Sequence, residues 1–320
     1  MTRILSEAQI TEAASLLKSG SIVAFPTETV YGLGASIFQP QAISNIFKVK
    51  GRPQDNPLIA HVSSLEQVER IAQDIPDVFY SLAERFFPGP LTVVLKKNGC
   101  VPSIVSAGLN SIALRMPSHP IARTLIEAVG EPIVAPSANI SGTPSSTRCE
   151  HVIHDFDGKI AAVIDGGSAH YGIESTVISL IGEDPMLLRP GAVSTEQLEE
   201  VLQKKLIIPS ALDLSTPLSP GMKYRHYAPR TPVHLFKESR LLSESVCNDP
   251  MKTRMVLSRE ELTFDLPAAC HWFALNAHDL YALLRQADSV GYQEIAIFCD
   301  ELTLFDLALM NRILKAASCF

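Results

Sequence analysis

Six cysteines (Cys100, Cys149, Cys247, Cys270, Cys299 and Cys319) are scattered through 320 residues without a single C-x-x-C pair. Such spacing supports neither a zinc site nor a disulfide framework, and it suits a reducing cytosol. Long apolar runs are missing too, since none approaches the roughly 18–20 residues that span a bilayer. The N-terminus, M-T-R-I-L-S-E-A-Q, lacks the apolar core of a signal peptide. A soluble, cytoplasmic protein without membrane contact is the expectation. Basic residues are outnumbered, 27 against 34 acidic ones, for a net charge of −7. That balance argues against generic wrapping of nucleic acid and confines any RNA contact to a local basic patch. There is no G-x-G-x-x-G, no Walker A motif, no H-E-x-x-H and no evident Ser-His-Asp arrangement. Standard dinucleotide, P-loop, zincin and serine-hydrolase mechanics are thereby set aside. The acidic residues also form no recognisable metal motif.

What is present is an ordinary globular composition, 46% hydrophobic and 19% charged, with length for two domains. S-E-A-Q at residues 6–9 is a capping-box pattern. Ile10, Ala13, Ala14 and Leu17 follow at helical spacing until Gly20 stops the helix. Residues 21–25 read as a buried strand ended by Pro26, and a second helix covers 41–49. Further strands are expected at 58–62, 91–96, 111–115, 133–135, 161–165, 175–180 and 186–189. Helices are expected at 65–72, 76–86, 119–129 and 195–204. This mixture predicts α/β architecture with a mixed rather than purely parallel sheet. Between about residues 208 and 232 prolines and serines replace periodicity, which marks a linker. Strands at 233–236, 254–257, 270–275 and 294–299 and a helix at 279–290 then predict a small second α/β domain. The expected division is 1–208, a linker at 209–232, and 233–320.

Several segments carry candidate chemistry. P-T-E-T-V-Y-G-L-G at residues 26–34 places two threonines, a carboxylate and a tyrosine in a tight turn after the first strand. It reads either as a ligand-facing loop or as a strand-to-helix turn capped by Thr27 or Thr29. K-V-K-G-R-P-Q-D-N-P-L-I-A-H at 48–61 sets Lys48, Lys50 and Arg52 beside Gly51 and two prolines. These cations suit a polyphosphate, although Lys48 and Lys50 are also favoured structurally at a helix C-terminus. His61, alone at a strand end, reads first as a packed structural histidine and second as a general base. In S-I-A-L-R-M-P at 111–117, Ser111, Ala113 and Arg115 share one side of a strand. Arg115 can fork a carboxylate or phosphate there, or simply be exposed. A-P-S-A-N-I-S-G-T-P-S-S-T at 135–147 supplies neutral donors and acceptors suited to phosphate or a nucleobase. E-S-T-V at 174–177 and L-R-P-G at 188–191 add a hydroxyl cluster and another cation.

Taken together, and in this order, six of these motifs closely resemble the YrdC/Sua5 family: P-T-E-T-V-Y-G-L-G, K-x-R-P-x-x-N-P-L, S-x-x-x-R-x-P, P-S-A-N-x-S-G, E-S-T-V and L-R-P-G. The linker with Y-R-H-Y-A-P at 224–229 and the extra C-terminal domain resemble the longer Sua5 branch. The resemblance implies an open, twisted mixed sheet with helices around a concave cavity, plus a small Rossmann-like C-terminal domain. It implies an L-threonylcarbamoyladenylate synthase, a nucleotidyltransferase that combines L-threonine, bicarbonate and ATP into threonylcarbamoyl-AMP and pyrophosphate. That product serves t6A modification of tRNA, so a downstream threonylcarbamoyl-transferring machinery is an implied partner, with tRNA or double-stranded RNA as a possible contact. By motif matching, Thr29, His61, Arg115, Ala135 and Ser175 are expected to hold L-threonine. Arg52, Asn56, Ser111, Ser137, Ser145, Arg189 and Tyr227 are expected around ATP, with Tyr227 in a lid, and Lys50 and Arg52 as the catalytic cations. Mg2+ is expected to arrive with the ATP phosphates rather than on a protein motif.

Two rivals remain at this stage. A carbamoyl-adenylate-forming relative from hydrogenase maturation would carry C-x-x-C modules, which this chain lacks. A non-catalytic RNA-binding module is weakened by the net charge of −7.

Overall fold

The computed structural model describes residues 1–209 and 227–317. Residues 210–226, most of the expected linker at 209–232, lie outside the described residues. Two units result, one formed by Met1–Ser141 and Ser145–Tyr224, the other by Gly142–Pro144 and Arg225–Phe320.

The first unit holds strands β1 (Arg3–Leu5), β2 (Val23–Phe25), β3 (Gly32–Ser36), β4 (Ile59–His61), β5 (Ala72–Gln73), β6 (Leu91–Lys97), β7 (Ser111–Arg115), β8 (Ile133–Val134), β9 (Ala162–Ile164), β10 (Thr176–Ser179) and β11 (Met186–Arg189). They form one mixed sheet in the order β1-β9-β2-β3-β8-β4-β7-β6-β10-β11, with β5 paired to β6. Helices α1 (Ile10–Lys18) and α5 (Pro120–Val129) bury Ala13, Leu17, Leu125 and Ile126 against Val23, Phe25, Ile133 and Ile164. Helices α2 (Pro40–Lys50), α3 (Leu65–Ile71), α4 (Asp77–Phe86), α6 (Cys149–Phe156) and α7 (Thr195–Leu202) cover the larger core around Leu33, Val93, Ile112 and Leu114. The capping expectation at the N-terminus holds, with Gln9 Oε1 accepting from the Ser6 backbone N–H at 3.0 Å.

The segment after Pro26 departs from a strand-to-helix turn. Its second half is β3, which runs antiparallel to β2 with Val23 opposite Gly34 and Phe25 opposite Gly32. Two glycines disguised this strand, because glycine is depleted in strands. The close approach of Phe25 explains both: a Cβ on Gly34 would lie 2.8 Å from the Phe25 ring and 2.9 Å from Ile133. Strand β1 and helix α6 were likewise not anticipated.

One patch of the sheet has an apolar floor built from strands alone: Ile59, Val94, Ala113, Val177 and Leu188. Because side chains alternate along a strand, the residues two positions away share that face. Those are His61 from β4, Ser111 and Arg115 from β7, Thr92 from β6, and Ser175 just before β10. The polar candidates therefore ring an apolar patch on one side of the sheet, while Ile112 and Leu114 point into the larger core.

The second unit has strands β12 (Val233–Phe236), β13 (Arg254–Ser258), β14 (Cys270–Ala274) and β15 (Glu294–Phe298), all parallel in the order β12-β15-β13-β14. Its helices are α8 (Ser239–Asn248), α9 (Leu280–Val290), α10 (Glu301–Phe305) and α11 (Leu307–Ala316). This is an open parallel α/β sheet of the doubly wound kind. No described helix in the chain is long and apolar enough to cross a membrane.

Candidate active site

The loop from Thr27 to Val30 is locked by its own first threonine. Thr27 Oγ1 accepts from the backbone N–H groups of Thr29 and Val30 at 3.2 and 3.3 Å and lies 2.6 Å from the Val30 carbonyl, to which it donates. The loop's middle is therefore rigid, and it presents Glu28 and Thr29 to Arg115. The Arg115 guanidinium donates through Nη1 to Thr29 Oγ1 at 2.7 Å and through Nε to the Gly89 carbonyl at 3.2 Å. Its Nη2 lies 2.6 Å from Glu28 Oε1. The contact is a buried ion pair. Burial by itself pushes the Glu28 carboxyl up, but the Arg115 charge and nearby donors outweigh it and hold it below the usual carboxylate value. The pair is ionised.

His61 is the register neighbour of Arg115 on the parallel β4–β7 pair. Its ring meets Phe25 edge-on, with centroids 5.9 Å apart, and its Nδ1 is buried without a hydrogen-bond partner. Burial first, and the Arg115 charge second, depress its pKa from 6.5 to about 3. His61 is thus neutral at physiological pH, and an imidazole of such low basicity is a weak proton acceptor. A base depressed on folding stabilises the fold fully above its unfolded pKa, and that contribution is lost as pH falls from about 6.5 towards 3. A shift of this size is worth on the order of 4–5 kcal/mol at its full extent. Urea midpoints of the parent protein should therefore fall as pH drops from 6.5 to 4.5, and His61→Gln should flatten that slope. An equally steep slope in the variant would assign the acid sensitivity elsewhere.

A second group lies at the end of α2. Gly51, at φ +61°, caps the helix in the left-handed conformation, with the Arg52 N–H returning to the Phe47 carbonyl at 2.9 Å. Lys48 is exposed, as the macrodipole argument expects, whereas Lys50 is only 2% exposed. Lys50 Nζ donates to the Ser137 carbonyl at 2.6 Å and to that of Asn139. Its ammonium thus ties the helix end to the P-S-A-N loop, where Ser137 Oγ bonds Asn139 Oδ1. Arg52, half-buried, bonds the carbonyls of Asn56 and Pro57 at 3.3 and 2.9 Å, and buried Asn56 keeps an unpartnered Oδ1.

The third group joins residues expected to serve different ligands. Ser175 Oγ lies 2.8 Å from Thr92 Oγ1, and Arg189 donates to the Ser175 carbonyl at 3.0 and 3.1 Å and to its hydroxyl at 3.1 Å. Ser145 is fully buried and donates to Glu174. Ala135 is buried, its N–H bonded to the Ile59 carbonyl at 3.0 Å. Ser111 sits at the far end of β7, across from Lys96. Tyr227 belongs to the second unit. It is buried at φ +64°, its ring 5.2 Å from that of Tyr281 and the Arg312 guanidinium 5.9 Å from its centroid. Glu28, Thr92 and Glu174 were absent from the expected site set. Two of them stand inside the recognised motifs, yet spacing does not say which polar residue in a loop is buried against which cation.

Residues 15–191 match the family described as Telomere recombination, which groups Sua5, YciO and YrdC, and residues 193–318 match the C-terminal domain of threonylcarbamoyl-AMP synthase. The chain belongs to the Sua5/YrdC family. The threonylcarbamoyl-AMP synthase of Pyrococcus abyssi is 44% identical, with 98% of this chain and 95% of that protein aligned. The Bacillus subtilis enzyme of the same name is 41% identical over 98% and 94% of the two chains. Among solved structures, P. abyssi Sua5 complexed with L-threonine superposes with a TM-score of 0.90 at 41% identity, over 99% of this chain and 97% of that one. Escherichia coli YciO, at 23% identity and TM-score 0.57, covers 62% of this chain and all of its own, and shares the fold. The Sua5/YrdC chain described here is an enzyme of the threonylcarbamoyl-AMP synthase type, of the two-domain Sua5 form.

Proposed function

We propose that the first unit binds L-threonine at the Arg115 cluster and ATP between the α2 end and the Ser175–Arg189 pair. It would join them through bicarbonate into threonylcarbamoyl-AMP. The observation that supports this most is a buried cation, Arg115, beside a neutral histidine, His61, at one register position of neighbouring strands. A guanidinium suits the carboxylate of threonine, and a neutral imidazole can hydrogen-bond its hydroxyl. In P. abyssi Sua5 the bound ligand is L-threonine.

The chemistry needs no protein nucleophile. The threonine amine, once deprotonated, takes up the bicarbonate carbon to give a carbamate and release water. A carbamate oxygen then attacks the α-phosphorus, the bond to the β-phosphate bridge breaks, and pyrophosphate leaves with the electron pair. Such a transfer is served by positioning and by cations facing the phosphates. Arg52 and Arg189 are the cations proposed for that task. Lys50 adds its charge while holding the Ser137–Asn139 loop in place.

Among the described residues no group of three or more His, Cys, Asp or Glu side chains could hold a metal ion. Magnesium is proposed to arrive with the nucleotide substrate, with waters completing its shell. The product is proposed to pass to a threonylcarbamoyl-transferring step on tRNA.

The test is pyrophosphate release that requires ATP, L-threonine and bicarbonate together. Arg52→Ala should lower it by about 10²-fold or more, as removal of one charge-stabilising donor does elsewhere. Near-normal release by that variant would remove Arg52 from the catalytic assignment, while no threonine dependence in the parent protein would refute the site reading.

A further inference from the structure

Arg115 is held on three sides, and only one of its partners carries charge. The Gly89 carbonyl and Thr29 Oγ1 are neutral dipoles. The guanidinium is 3% exposed, so its positive charge needs a nearby anion to remain buried. Glu28 supplies that anion at 2.6 Å. Glu28 is itself 5% exposed, so the anion is as buried as its cation. Its backbone is pinned as well, by Thr27 within the loop and by the Tyr171 N–H, which donates to the Glu28 carbonyl at 2.8 Å.

The direction of the contact matters as much as its length. An arginine engaged by a carboxylate in a two-pronged fork has spent its best donors. Here the contact is one-pronged, between Nη2 and Glu28 Oε1, while Nε and Nη1 go to neutral acceptors. We propose that Glu28 is a positioning residue, a buried anion beside Arg115 that keeps the guanidinium buried, charged and correctly placed for the substrate carboxylate. This rests on the reading of Arg115 as the carboxylate site. Without the anion, the guanidinium would turn towards solvent to regain hydration, and the amino acid would lose its anchor. The nucleotide would not.

Glu28→Gln keeps the shape and removes the charge. In steady-state pyrophosphate release the KM for L-threonine should rise tenfold or more, with the KM for ATP staying within twofold. Glu28→Asp, charged but one methylene shorter, should fall between Glu28→Gln and the parent protein. A merely structural role would raise both constants together or lower only the folded fraction. If Glu28→Gln fails to fold, Glu28→Asp is read on the same two axes. An unchanged or lower threonine KM overturns the proposal, the latter by showing that Glu28 merely competes with the substrate for Arg115. Failure of the carboxylate-site reading is distinguishable: the parent protein would then show no threonine dependence, or Arg115 variants would leave the threonine KM unmoved.

Discussion

Arg115→Met should abolish threonine-dependent pyrophosphate release, by on the order of 10³-fold, and should also destabilise the fold. Two effects combine. On the proposed site the substrate carboxylate loses its cation, and Glu28 becomes an uncompensated buried charge, for which about 3–5 kcal/mol is usual. The Glu28 carboxyl would escape part of that cost by taking up a proton, so its pKa should swing from depressed to raised. Unfolding of the single variant should therefore turn pH-dependent in the neutral range, with stability recovered as pH falls and Glu28 is neutralised. The double variant Glu28→Met/Arg115→Met separates the contributions. Replacing both members of a buried ion pair by packed apolar groups is often neutral or stabilising. Its melting temperature should thus return most of the way to that of the parent protein while activity stays lost. If the double variant regained activity, Arg115 would not be the carboxylate anchor. If it stayed as unstable as the single one, the ion pair would not be the source of the destabilisation.

Gly191→Ala should have the second large effect, although it adds a single methyl group. A Cβ at Gly191 would stand 2.3 Å from the Thr176 backbone N, 2.5 Å from the Ser175 carbonyl carbon and 2.7 Å from the Glu174 oxygen. All three are main-chain atoms, so no side chain can swing aside. The L-R-P-G turn must lift from the E-S-T-V strand start, and Arg189, bonded three times to Ser175, moves with it. Overpacking of this kind costs about 1–3 kcal/mol, and more where backbone is the obstacle. Thermal unfolding should show a fall of several degrees with a loss of activity exceeding it. Gly99→Ala is the control, since nothing lies within 4 Å of its Cβ position. Equal behaviour of the two variants would refute the close-approach argument.

These cases show where sequence reading succeeded and where it stopped. Strand β7 was legible because Ile112 and Leu114 alternate with Ser111, Ala113 and Arg115, and the structure places the two sets on opposite faces. The end of α2 was legible because a glycine follows a basic last turn. Yet the two lysines there were indistinguishable by spacing, and only the return of the chain at residues 137–139 buried Lys50 and left Lys48 in water. Strand β3 was hidden because its glycines answer to Phe25 and Ile133, partners about ten and a hundred residues away.

By itself, then, the order of six short motifs was sufficient for family, fold class and the type of reaction, since the family resemblance rests on short local segments in a fixed order. Only the tertiary structure decided which polar residues meet. Ser175 and Arg189, assigned to separate ligands by motif, are one hydrogen-bonded pair, and Glu28, assigned to none, is the counter-charge of Arg115. Charge compensation and backbone approach act through space at a few ångströms. Their partners come from strands distant in sequence, and no periodicity encodes which of them will meet.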